Sequence, residues 1–147
     1  AGIGTRVDGD APRSRRELQV SVTAASEALA LVGLGHVAGA RTLELTSSQR
    51  RLVALAAAIA TEPQVLLVDE LAAGAGADEL ETLAEAVERI RERGVAVLVV
   101  EHNLRLVSRV ADRVLVLGAG TVVAEGSAAE VAASSVVQKA YLGTARL

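Results

Sequence analysis

The sequence predicts an α/β fold built around a parallel β-sheet, on three observations. The runs Val65-Leu66-Leu67-Val68 and Val95-Ala96-Val97-Leu98-Val99-Val100 are continuously apolar and strand-sized, the pattern of parallel strands buried on both faces. Between them lies an amphipathic segment, Asp78 to Arg93, with acids early and arginines late, as the helix dipole favours. The strands alternate with helical segments, the order expected of an α/β architecture. Each apolar run ends in polar residues, Asp69-Glu70 and Glu101-His102. In open parallel sheets, function gathers just beyond the carboxyl ends of the strands.

The elements follow in order. Residues 1–16 are rich in Gly, Arg and Asp and lack periodicity, so they read as a mobile tail or linker. The cluster Arg13, Arg15 and Arg16 reads either as solvated linker or as an anion site. Thr23 to Leu34 is expected to be helical, with Ala28, Leu31 and Val32 on one side, and Gly33 and Gly35 end it. Gly35 to Leu43 reads as a loop. Thr46, Ser47 and Ser48 are good N-caps for a helix whose buried stripe is Leu52, Val53, Leu55, Ala56, Ile59 and Ala60. Pro63 stops that helix before the first strand. Gly74 and Gly76 mark a flexible connection, and Gly94 stops the Asp78–Arg93 helix. Asn103 can cap a short helix through Val110. Arg113–Leu117 and Thr121–Ala124 are expected to form a hairpin around Gly118-Ala119-Gly120. Short helices near Ala128–Ala133 and Val136–Leu142 follow.

Composition narrows the function. The 147 residues are 51% hydrophobic, carry a formal charge of −3 and contain one aromatic, Tyr141. A general nucleic-acid surface is therefore not indicated, and base stacking has no platform. Without cysteine there are no disulfides, thiolate metal sites or cysteine nucleophiles. No apolar run approaches the ~20 residues of a membrane span.

The chemistry-bearing residues are at the strand ends. Asp69 and Glu70 read either as a solvated acidic pair or as a site in which one carboxylate holds magnesium and the other orients attacking water. His102 ends the next strand, and paired with those carboxylates it is expected to donate to a phosphate oxygen. The segment Thr46-Ser47-Ser48-Gln49 reads either as a helix cap or as an anion-binding helix N-terminus.

Taken together, Leu45-Thr46-Ser47-Ser48-Gln49-Arg50-Arg51, the run ending Asp69-Glu70, the loop Ala72-Ala73-Gly74-Ala75-Gly76 and Glu101-His102-Asn103 resemble, in order and spacing, an ABC-transporter ATPase. Ala111 to Leu117, Ala124-Glu125-Gly126 and Tyr141-Leu142-Gly143 look most like its branched-chain amino acid uptake subfamily. The resemblance runs from about Glu27 to Gly143. It implies that Asp69 supports magnesium, that Glu70 polarises the attacking water and that His102 contacts the γ-phosphate. It further implies that Thr46, Ser47, Ser48 and Gln49 form the signature motif, which touches ATP bound to the opposite subunit. Gly74 to Gly76 would couple the two subunits.

The chain also departs from the family. A P-loop needs spaced glycines followed by Lys and a hydroxyl residue; here Gly4 and Gly9 are followed by Asp10, and the single lysine is Lys139. Ser47 and Ser48 stand where the family prefers glycine, Leu71 where it has proline, Gly76 where it has Asp or Asn, and Ala57 where it has Arg.

The expected fold is thus the C-terminal half of a P-loop NTPase of the ABC ATPase kind: a parallel sheet core and part of the helical subdomain. Residues 1–18 are expected to be a flexible tail or linker, 19–62 the helical signature subdomain, and 63–147 the Walker B and His-loop part of the core. The expected function is that of a truncated ATP-binding subunit of an amino acid importer, cytoplasmic and peripheral at the inner face of the membrane. The alternative is a non-hydrolysing interaction module. ATP and Mg2+ are the cofactors of the assembled parent, with weak or no binding by this chain alone. A second ATPase subunit and a membrane permease are the expected partners. An unpaired edge beside Val65–Asp69 would favour self-association.

Overall fold

The computed structural model describes residues 15–141. The expected tail over residues 1–14, and Leu142 and Gly143 of the last motif, lie outside the described residues. The chain forms two compact units that divide between Glu101 and His102. The expected boundary at 62/63 falls inside the first of them.

In the first unit, α1 (Arg15–Leu31), α2 (Ser47–Ile59) and α3 (Ala77–Glu92) pack on one another. Helix α1 starts eight residues before the expected Thr23, so residues 15–18, expected in the tail, are helical. The sequence there is built of good helix formers, but Val20 and Val22 are exposed, which is why no apolar stripe announced it. The helix ends in a Schellman motif: the Leu34 amide donates to the Leu29 carbonyl at 2.7 Å and the Gly33 amide to Ala30 at 3.0 Å. Gly33 sits at φ 81°, where a Cβ would meet Arg89 Nη1 at 3.3 Å. The loop expected over Gly35–Leu43 contains two 3-10 turns, Gly35–Val37 and Thr42–Glu44.

The core of this unit is set by the inward stripe of α3, Leu80, Leu83, Ala84, Ala86, Val87 and Ile90, together with Leu52, Leu55 and Ala56 of α2. Burying each large member contributes roughly 1.5–3 kcal/mol. Strands β1 (Val65–Asp69) and β2 (Ala96–Val100) pair in parallel, with Val65 opposite Ala96 and Asp69 opposite Val100. The two strands therefore end level.

The expectation that both strands are buried on both faces is wrong. Leu66 and Val68 are buried, but Leu67 is 68% exposed and Leu98 57% exposed, with Val65 and Val100 exposed beside them. Helices cover one face only. On the other face the alternate side chains meet solvent, so a run that reads as continuously apolar is amphipathic in three dimensions. Among the described residues each strand has one partner, so the edge beside β1 is unpaired as expected, and so is that beside β2.

The second unit contains α4 (Leu104–Val110), the hairpin β3 (Val114–Gly118) and β4 (Thr121–Gly126), α5 (Ala128–Ala133) and α6 (Ser135–Tyr141). The hairpin turns through Ala119 at φ 48° and Gly120 at φ 80°, the two positive dihedrals that a tight two-residue connection needs. Strand β3 is shifted by one residue from the expected Arg113–Leu117 and β4 runs two residues past the expected Ala124, with an irregularity in pairing between Val116 and Leu117. Val116, Val131 and Val137 form its small core. Arg113 is paired with Glu125 across the hairpin.

Candidate functional site

The site begins where the parallel pair ends. Beyond the last paired position, the Glu70 amide donates to the Val100 carbonyl at 2.9 Å. Glu70 then adopts φ 51°, left-handed backbone that is uncommon for a side chain other than Gly, Asn or Asp. That residue turns the chain off the sheet, and both Asp69 and Glu70 are exposed. Strained backbone of this kind concentrates at functional sites. Among the described residues, no three His, Cys, Asp or Glu side chains come together as a metal-binding group. An exposed strand-end carboxylate fits magnesium, which keeps several waters and binds through one or two carboxylates plus substrate phosphates.

Thr46 precedes α2 as its N-cap. Its Oγ1 accepts from the Gln49 amide at 3.2 Å, and Gln49 Oε1 accepts from the Thr46 amide at 2.9 Å. This reciprocal capping box engages both polar side chains locally. Ser47 Oγ accepts from Arg50 Nη2 at 3.4 Å. The Ser47 and Ser48 amides lie ahead of any intrahelical acceptor, so the helix end retains donors for an anion. The first unit contains no lysine. The residues present thus fit the magnesium side of a nucleotide site, and they lack the ammonium of a phosphate cradle.

Two residues to which sequence reasoning gave no role hold this region together. Arg51 donates through Nη2 to the Ala73 carbonyl. Glu101 Oε1 accepts from the Ala72 amide at 2.6 Å. Two neighbouring residues of the loop after Glu70 are thereby pinned, Ala73 from α2 and Ala72 from the end of β2. Arg51, Ala54, Leu55 and Ala58 line a cavity of about 110 Å³ against residues 66–71. A signal for Arg51 was present in the sequence, since an arginine three and seven residues before Ala54 and Ala58 shares the inward side of an apolar helix.

His102, expected to join the two carboxylates, opens the second unit and is exposed. Next to it, Asn103 Oδ1 accepts from the Arg105 and Leu106 amides at 3.1 and 3.3 Å, the expected cap of α4. The first unit carries the candidate residues at two places, Asp69 and Glu70 at the end of β1 and Thr46 to Gln49 at the start of α2.

This fold is that of part of an ABC ATPase cassette. The ADP conformation of MJ1267, an ATP-binding cassette of an ABC transporter, matches with a TM-score of 0.80 at 25% identity, over 92% of this chain and 54% of that one. The cbiO1 protein of Clostridium perfringens, part of the ABC transporter complex cbiONQ, matches with a TM-score of 0.67 at 27% identity, over 93% of this chain and 53% of that one.

The chain's homologues are ABC transporter ATP-binding proteins. The high-affinity branched-chain amino acid transport ATP-binding protein LivG of Salmonella typhimurium is 31% identical over 135 residues, 91% of this chain and 53% of the relative. The nickel import ATP-binding protein NikO of Rhodobacter capsulatus is 39% identical over 125 residues, 83% of this chain and 48% of the relative. The methionine import ATP-binding protein MetN of Caulobacter vibrioides is 38% identical over 107 residues, 72% of this chain and 32% of the relative. The chain thus spans about half the length or less of these curated relatives. No protein-family model matches it.

Proposed function

We propose that this chain is the signature and Walker B part of an ABC importer ATPase, whose P-loop half lies outside these 147 residues. The assembled cassette hydrolyses ATP to drive uptake of a solute, of the branched-chain amino acid type. One observation carries the reading: Asp69 and Glu70 leave the level end of a parallel pair in a chain whose homologues are ABC transporter ATP-binding proteins. In the assembled site Asp69 supports magnesium, Glu70 polarises water and His102 reaches the γ-phosphate. Thr46 to Gln49 meet nucleotide held by a second ATPase subunit, and Gly74 to Gly76 couple the pair. The cassette works at the cytoplasmic side of a membrane permease. Among the described residues no helix is long and apolar enough to cross a membrane, which is consistent with that peripheral place.

The uncovered sheet face supports a partner. Parallel sheets are ordinarily covered on both faces, and here Val65, Leu67, Leu98 and Val100 are exposed. The test is calorimetric titration of the chain with magnesium and ATP, repeated with Glu70→Gln. Without a phosphate cradle, positioning and charge neutralisation are lost, and no micromolar binding is expected. Micromolar binding by the isolated chain overturns the reading.

A second reading, a non-hydrolysing interaction module that pairs with a complete ATPase or permease, is favoured by the capping box that engages Thr46 and Gln49. Addition of the chain to a complete relative distinguishes the two. A module changes the relative's hydrolysis rate without needing Glu70.

A further inference from the structure

We infer that Arg51 and Glu101 are positioning residues, a two-point clamp that couples the N-terminal half of α2 to the backbone conformation of Glu70. Its functional meaning rests on the reading above, in which α2 presents Thr46–Gln49 to nucleotide and Glu70 polarises water.

The geometry is specific. The loop after Glu70 begins with a residue at φ 51° whose carbonyl accepts from the Ala73 amide at 3.3 Å. Two backbone groups at that turn are each taken by a charged side chain from elsewhere in the unit. Ala72 N–H goes to Glu101, 29 residues away, and Ala73 C=O goes to Arg51, 22 residues away. Hydrogen bonds with an ionised partner are stronger than neutral ones. A shift of α2 along its axis pulls on Ala73, and Glu101 resists it from the end of β2. Glu70 is held to β2 at its amide and closes the turn with its carbonyl, so its backbone conformation depends on both grips.

The clamp is costly. Arg51 Nη1 is buried with no hydrogen-bond partner among the described residues, the one such side-chain atom. Arg51 as a whole is half-buried, and a buried nitrogen left without an acceptor costs stability relative to a fully paired side chain. If packing were its purpose, Leu or Met would serve better beside Ala54, Leu55 and Ala58. A side chain that costs stability yet holds the strained turn after a candidate catalytic acid points to positioning.

The experiment is residue-resolved amide hydrogen exchange on the full chain, with thermal unfolding of each variant. Exchange at 71–73 reports opening of the turn, and exchange within α3 reports global stability. Arg51→Met is expected to leave the unfolding midpoint unchanged or raised. It is expected to speed exchange at Ala72 and Ala73 about tenfold, the equivalent of losing one ordinary hydrogen bond, with α3 unaffected. Glu101→Ala is expected to do the same at Ala72, and Glu101→Gln, whose Oε1 still accepts, to restore protection. Combining Arg51→Met with Glu101→Ala adds little beyond either alone, because the two grips hold one turn.

Unchanged protection at Ala72 in Arg51→Met overturns the clamp, as do effects that multiply independently. A lowered midpoint with exchange sped equally in the turn and in α3 makes Arg51 a packing residue and also overturns it. None of these outcomes depends on nucleotide, so they stand apart from the calorimetric test of function.

Discussion

The Glu70 amide donates to the Val100 carbonyl at 2.9 Å, one residue beyond the last paired position of two parallel strands that end at Asp69 and Val100. This bond extends the ladder to the residue at which the chain leaves the sheet, and it ties the positive φ of Glu70 to the end of β2. Position 70 therefore carries a conformational demand as well as a candidate chemical one.

That demand is measurable. Glu70→Val places a β-branched side chain in left-handed backbone and should lower unfolding free energy by about 1–2 kcal/mol. Glu70→Gly should cost nothing or stabilise slightly, because glycine adopts that conformation freely. Urea titration of the three proteins checks this, and equal stability of the Val and Gly forms would contradict the assigned dihedral.

Association should follow the uncovered sheet face. Leu67 and Leu98 face each other across the register and are mostly exposed. Exposed apolar surface beside unpaired edges invites contact between copies. Sedimentation of the natural chain should depend on concentration, and Leu67→Lys with Leu98→Lys should shift it toward monomer without loss of helix signal. A sharp, concentration-independent monomer for the natural chain counts against association.

The two roles of Thr46 separate by substitution. Loss of its cap in Thr46→Ala should cost about 1 kcal/mol, and Thr46→Ser should retain most of that. In the proposed assembly, a fall in hydrolysis for Thr46→Ala that greatly exceeds the lost folded fraction would assign the residue to nucleotide contact as well. A fall that merely tracks unfolding would leave it as a cap.

Acid should weaken the start of α5. The backbone N–H of Ser127 and then its hydroxyl donate to the Glu130 carboxylate, and they hold its pKa below the ordinary glutamate value of 4.5. The folded state favours the ionised form, so this contribution is present above pH 4.5 and is lost as pH falls through the lower folded value. A carboxyl NMR titration should show Glu130 titrating below ordinary glutamates. Ser127→Ala, which removes the hydroxyl donor, should move it partway back, and no movement would contradict the contact.

Much of the local structure was legible because its causes are local. The caps at Thr46 and Asn103, the stop at Gly33, the turn at Ala119-Gly120 and the stripe of α3 depend on residues within a few positions of one another. The start of α1 was missed because Gln19 to Val22 are exposed and so show no apolar stripe. Arg51 was missed because its acceptor is a carbonyl, which no residue type advertises, and it lies 22 positions away.

The sequence by itself determined the order of the strands and main helices, that the two central strands run parallel, and that Asp69 and Glu70 stand at a strand end. Those features follow from periodicity and turn chemistry, which act over a few residues. Only the tertiary structure decided that the sheet is covered on one face, that Glu70 takes a left-handed turn against Val100, and that Arg51 and Glu101 grip the same loop. Each of these depends on which segments distant in the chain come to lie against one another, and burial and long-range hydrogen bonds exist only once that packing has formed.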